Sequence, residues 1–289
     1  QKALALYKIA GDQSGVSMAH MRIGQVHNQN KRFDEAIAAF ETGLRIAVKI
    51  NNKEAMGYLC GELAAAYKNQ AIQTGSNDFG KAIKYFNRAI NILTELGIGE
   101  VWVTYLALSN LYGENLHDGS NALLYAQKAR AIVEQTGDRY GQCRVLTTLA
   151  TRLNENGNTT EALRALGTAQ TLAGQEQFTD LTLHIYYQKA LAFIEKKHPD
   201  SARYFLREYG FELEKRLQRT AELENKLLLT EKENQVLALK NARNRQNLLY
   251  QRQQAQLLEQ RLLTAQRDAA IDSLEQDQQI KNLEITRRD

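Results

Sequence analysis

The sequence predicts an all-α protein: a solenoid of helical hairpins over residues 1–210, followed by a long coiled-coil helix over 211–289. Three observations predict it. Ala82, Ala122, Ala162 and Ala202 recur every forty residues at the same point of a short pattern, and a fixed period of this size marks stacked supersecondary units. One proline, Pro199, stands in 289 residues, and proline is the residue that breaks helix interiors. The last 79 residues hold no Gly, Pro, Cys, His or Trp and are rich in Leu, Glu, Lys, Arg and Gln, which favour helix.

Each unit divides into two helices. The first helices begin at Ser17, Gly57, Trp102, Cys143 and Leu183. Counted from there, the seventh and eighth places read Ile23-Gly24, Leu63-Ala64, Leu108-Ser109, Leu149-Ala150 and Lys189-Ala190. A small eighth residue lets the paired helix approach closely. Place eleven carries His27, Tyr67, Tyr112, Leu153 and Phe193, one large group per unit. Second helices offer Ala36, Ala82, Ala122, Ala162 and Ala202, then Phe40, Phe86, Ala126, Leu166 and Leu206. Gly43, Ala89, Ala129, Ala169 and Tyr209 follow. These fall on one helical face, four and then three residues apart. Ala3 takes the second-helix place of a preceding unit, so the chain is expected to open inside a partial unit, as a fragment of a longer protein. No secretory leader is recognisable at Gln1.

These small, aromatic, Ala, Phe, Ala positions resemble the tetratricopeptide repeat, over about residues 1–210. Repeats run nearer forty residues than the usual ~34. The fifth departs from the pattern at Lys189 and Tyr209, and about six extra residues in the second, near 73–78, are expected to form a longer turn. The resemblance implies a ligand along the concave face, at places two, five, six, nine, twelve and thirteen of the first helices. Here these are Arg22, Gln25, Asn28 and Gln29; Glu62, Lys68 and Asn69; Asn110 and Glu114; Arg144, Thr147, Thr148, Thr151, Asn154 and Glu155; and His184, Tyr187 and Gln188. Amides and hydroxyls there suit an extended peptide backbone, with Arg22, Lys68 or Arg144 holding a carboxylate. Met21 and Gly61 stand where the family's two-carboxylate clamp would place lysine, which speaks against that clamp.

In the tail, Leu217, Leu228, Leu239 and Tyr250 recur every eleven residues, a spacing that suits a nearly straight coil. Leu258, Leu262, Ala265 and Ala269 step by four, three and four, as heptads do. The polar stretch 240–247 is where the helix would break or fold back. A coiled coil, a fold-back hairpin and a partly disordered linker are the alternatives, with the coiled coil preferred because a lone helix cannot bury its leucines. The layout of repeats followed by a Gln/Glu/Leu-rich helix, closing at 271–288, resembles the juxtamembrane region of Bacteroidetes-type sensor proteins. That resemblance implies a membrane span beyond Asp289, then a histidine kinase or another output domain, with this region on the periplasmic side.

Other chemistry is not visible. Net charge is +4, with 23 Lys+Arg against 20 Asp+Glu over 1–210 and 14 against 13 beyond. Neither part concentrates the positive charge that nucleic acid binding needs. No P-loop, G-x-G-x-x-G, H-E-x-x-H or G-x-S-x-G is present, so no catalytic residue, cofactor or metal is expected. His20 and His27 read as packing groups. Cys60 and Cys143 stand two repeats apart and read as buried free thiols, since a bridge needs Cα atoms within about 7 Å. Tyr67, Tyr112 and Trp102 read as core. The leading reading is a non-enzymatic peptide- or protein-binding sensory module of a membrane-anchored bacterial signalling protein, dimerised by its tail. A soluble cytoplasmic adaptor or peptide-responsive regulator is the alternative.

Overall fold

The computed structural model describes the backbone of residues 2–286 and the side-chain surroundings of residues 3–254. Among the described residues there is no strand. The helices are α1 (Lys2–Ile9), α2 (Gln13–Gln29), α3 (Phe33–Lys49), α4 (Lys53–Thr74), α5 (Gly80–Glu95) and α6 (Val101–Asn110), which continues into one π-helical turn, Leu111–Asn115. After it come α7 (Gly119–Thr136), α8 (Arg139–Glu155), α9 (Thr159–Gln175), α10 (Thr179–Glu195) and α11 (Pro199–Thr286). The chain divides into two compact units, Gln1–Glu214 and Lys215–Asp289.

Local sequence explains where the helices start and stop. Asp12, Asn52 and Asp138 cap α2, α4 and α8 by accepting the backbone N–H of Gly15, Ala55 and Gly141 at 2.8, 3.0 and 2.8 Å, which satisfies amides the helix leaves unbonded. Every connection between helices contains one residue with positive φ, a glycine in half of them and Lys31, Asn51, His117, Gln177 or Lys197 in the others. Pro199 sits at the first position of α11, where its missing N–H costs nothing.

The helices pack as antiparallel pairs, α2 with α3, α4 with α5, α6 with α7 and α8 with α9. Ala36, Ala82, Ala122 and Ala162 are fully buried, as are the small eighth-place residues Gly24, Ala64, Ser109 and Ala150. The fit at Gly24 is close enough that a Cβ there would stand 2.5 Å from the Phe40 ring. Buried polar groups in this interface are spent on the facing helix. Ser17 Oγ donates to the Gly43 carbonyl at 2.9 Å, and Cys143 Sγ donates to that of Ala169 at 3.4 Å. Both bonds join the first place of one helix to the same place of its partner, so the two units superpose in chemistry as well as in sequence. Burial pushes the Cys143 thiol up to about 11, and Cys60 is likewise free and buried. Trp102 lies in the core.

Three sequence expectations need correction. The extra residues of the second repeat mostly lengthen α4 to 22 residues, against 17 for α2 and α8, before Gly75 ends it in the left-handed conformation. The segment 67–74 has few helix breakers and buries Ala71, so helix is the cheaper way to place it. Leu206, expected as a second-helix contact, is 46% exposed. Among the described residues no further first helix lies beside it. The polar stretch 240–247 is neither a break nor a turn: α11 runs through it without interruption.

Within the second unit the described side chains face water, with Leu217, Leu227, Leu228, Leu239 and Tyr250 between 51% and 72% exposed. The side chains of Leu258, Leu262, Ala265 and Ala269, and those of the closing stretch 271–288, lie outside the described residues. Among the described residues, no helix is long and apolar enough to cross a membrane. Enlarging Ala162 to Leu should destabilise the first unit by about 1–3 kcal/mol through overpacking. Chemical denaturation followed by circular dichroism checks this, and an unchanged midpoint would contradict the packing described for that alanine.

Candidate functional site

First helices of neighbouring units touch one another, α2 against α4, α6 against α8 and α8 against α10, while the second helices of neighbouring units stand further apart. The first helices therefore form the inner layer of the stack, and their outward-turned places line its inner face. Over α2, α4 and α6 this face opens into a groove of about 690 Å³, within the range of roughly 300–1,000 Å³ typical of ligand sites.

The sequence-predicted polar residues fall into groups along that face. In the first two repeats, Arg22 Nη1 donates to Gln25 Oε1 at 3.0 Å, and Gln25 Nε2 donates to Glu62 Oε1 at 2.6 Å. Beside them Asn69 Nδ2 donates to Asn28 Oδ1 at 3.1 Å. The Gln25–Glu62 and Asn69–Asn28 bonds cross between α2 and α4 and brace the two repeats. Gln29 is exposed at the end of α2, and Lys68 is half-buried.

A second group is organised by a residue absent from the sequence-predicted set. Arg152 is only 2% exposed. Its Nη2 donates to Asn110 Oδ1 at 3.1 Å and to Glu114 Oε1 at 3.0 Å, and its Nη1 donates to Glu155 Oε2 at 2.7 Å. The guanidinium lies against the π-helical turn, where a Cβ on Gly113 would stand 2.6 Å from Cζ and collide with Nη1. Gly113 is thus the gap into which Arg152 fits. Arg152 Nε and Asn154 Oδ1 are buried without a hydrogen-bond partner. The signal was present in the sequence: place ten reads Val26, Ala66, Leu111 and Ala192 in the other repeats, and arginine in this one.

The remaining residues scatter. Arg144 is exposed, with its guanidinium 5.4 Å from the centre of the Trp102 ring and 6.0 Å from that of Tyr140. Thr147 is buried and donates its hydroxyl to the Cys143 carbonyl at 2.8 Å, while Thr151 donates to that of Thr147 at 3.1 Å. Thr148 is half-buried and Gln188 is buried. Tyr187 packs at 5.8 Å from Tyr209. His184 stays open to water, yet desolvation by its neighbours holds its imidazole below the ordinary value, with the Glu114 carboxylate pulling the other way. Thr147 and Gln188 are therefore packed rather than presented. Sequence reasoning also passed over the apolar floor of the groove, Met21, Tyr58, Ala65, Val103 and Ala107. Those residues share the same helix places as the polar ones, but apolar side chains there carry no hydrogen-bonding signal in the sequence.

Comparison with known proteins agrees with the fold. The tetratricopeptide repeat family profile matches residues 19–47. No curated protein matches the chain. Among solved structures, a Podosopora anserina putative kinesin light chain with nearly identical TPR-like repeats is 17% identical, with a TM-score of 0.56, over 70% of this chain and 97% of that one. Aspartyl phosphate phosphatase F from Bacillus subtilis is 17% identical with a TM-score of 0.51, over 71% of this chain and 52% of its own. A signal transduction ATPase with a tetratricopeptide repeat sensor, from Pyrococcus horikoshii, is 12% identical with a TM-score of 0.50, over 76% of this chain and 38% of its own. At these identities the likeness shows a TPR-like solenoid and nothing finer.

Two measurements probe this face. Gly→Ala within an ordinary helix stabilises by about 0.5–1 kcal/mol, but Gly113→Ala should destabilise by about 1–3 kcal/mol because Arg152 loses its hydrogen bonds. In an Arg152→Ala background the same change should be neutral or stabilising, and additive effects across this cycle would show that the two residues do not meet. The second measurement is of pH. His20 and His184 both titrate below the ordinary ~6.5, so the unfolded chain binds more protons just below that pH. Stability should be full above about 6.5 and fall as the pH drops toward the folded-state values. His184→Gln should flatten the decline, and an NMR midpoint for His184 at or above ~6.5 would contradict it.

Proposed function

We propose that the first unit is a protein- or peptide-binding module whose site is the inner face of its first helices. The observation that carries this reading is the groove over α2, α4 and α6, which pairs apolar area with convergent hydrogen-bonding groups. Peptide recognition needs both, area for affinity and polar groups for register. Arg22, Gln25 and Glu62 lie along its edge, and the Arg152 group continues the polar surface over α6 and α8. No nucleophile paired with a base was found on this face, and a TPR-like fold is typically non-catalytic, so binding is the activity its residues support.

The tail completes the module as a dimerisation element. Exposed leucines along the second unit gain little from a solitary helix and gain much from a second copy in coiled-coil register. Ligand in the groove would then favour one arrangement of the repeats, and differential affinity would bias the paired helices. A membrane-anchored signalling parent with a histidine kinase output is the finer form of this proposal. It rests on the order of repeats followed by a long Gln/Glu/Leu-rich helix, and the reading frame beyond Asp289 tests it. Sedimentation equilibrium of the chain should give a dimer at micromolar concentration, and Leu227→Asp with Leu228→Asp and Leu239→Asp should give a monomer with its repeats still folded. A wild-type monomer well above micromolar would overturn the dimer.

A further inference from the structure

The groove over α2, α4 and α6 carries a charge that narrows what it can hold. This inference rests on the peptide-binding reading above and concerns the same site. Three carboxylates line the groove, Glu54, Glu62 and Glu100, against one cationic side chain, Arg22, which leaves a net charge of −2 in the lining. Arg22 is exposed at the rim and donates to Gln25, which in turn donates to Glu62, so its guanidinium is turned toward a neighbour in the lining. Among the described residues, neither Glu54 nor Glu100 has a salt-bridge partner. Burial raises the phenol of Tyr58, in the floor, above the ordinary range, and the nearby Glu100 and Glu54 carboxylates add to that.

The floor is apolar and open. Met18 and Val103 are 49% and 43% exposed, with Met21, Ala65 and Ala107 beside them in the same lining. Methionine adapts its shape to varied apolar side chains. A ligand settling here must offer apolar area to the floor and positive charge to Glu54 and Glu100, because an acidic side chain would meet two exposed carboxylates that no cation of the protein neutralises. We propose that this groove takes a peptide segment in which large apolar side chains are interleaved with Lys or Arg, and that it discriminates against acidic segments.

The test uses the full chain and three short fluorescein-labelled peptides, of alternating Leu and Lys, alternating Leu and Glu, and alternating Ser and Lys, each with a central benzoylphenylalanine. Fluorescence anisotropy should show the Leu/Lys peptide binding about tenfold tighter than either control at near-physiological salt. Photo-cross-links should fall on α2, α4 or α6. Glu54→Gln with Glu100→Gln should weaken that binding roughly fivefold while keeping the melting temperature. Absence of Leu/Lys binding, equal or tighter binding of the Leu/Glu peptide, or no effect of the double substitution would overturn the proposal. Should the Leu/Glu peptide bind better and still cross-link to α2, α4 or α6, the peptide groove stands and its charge preference is wrong. Cross-links of the Leu/Lys peptide confined to residues 211–289 would remove the groove reading, and this proposal with it.

Discussion

The spacing between paired helices is set by one constraint, a small residue at the eighth place of the first helix where the second approaches: Gly24 faces the Phe40 ring, and Ser109 donates its hydroxyl to the Ala122 carbonyl at 2.8 Å. Gly24, Ala64, Ser109 and Ala150 meet this requirement differently, and each is fully buried. Large side chains such as Phe40 and Phe86 close the core around these positions. Everything on the inner face inherits its geometry from this spacing. A wider pair would spread α2, α4 and α6 and dissolve the groove between them.

The stack also depends on neighbours, since each unit buries apolar area against the next one as well as between its own two helices. The fifth unit shows what happens where the series stops. Leu206 is open to water, Lys189 occupies a place that is Leu or Ile in the other repeats, and the second helix continues as α11 instead of turning back. Lys189 is held by Gln170 and by the Phe205 ring, 4.9 Å from its Nζ, and burial lowers its affinity for the proton. The charge is thus buried with its compensation supplied from within the stack, by α9 and by the start of α11.

Polar residues on the inner face do two jobs that the same residue types cannot reveal in isolation. Gln25 binds Glu62 and Asn28 binds Asn69 across repeats, as Arg152 does Asn110 and Glu114, with Glu155 holding Arg152 from within its own helix. These networks stiffen the face and fix its electrostatics. The apolar area left open in the groove comes from Met18, Met21, Tyr58 and Val103, with Glu54 and Glu100 around them.

The architecture was legible in the residues because a forty-residue recurrence of small and large apolar groups admits few solutions other than stacked helix pairs. Helix periodicity placed the buried alanines, and a separation of two repeats in the stack kept Cys60 and Cys143 apart. Which inner-face residues are available was decided only by tertiary structure. Thr147 and Thr151 spend their hydroxyls on carbonyls four residues back, Gln188 is packed, and Arg144 lies over Trp102. Whether a side chain is free depends on what the adjacent repeat brings within hydrogen-bond reach. Gly113 and Arg152 illustrate this: they stand 39 positions apart in the chain, yet the arginine can be buried because the glycine leaves it space. Period and composition determine the helices and their order. The pairing of groups across repeats is a property of distances that only the folded chain supplies.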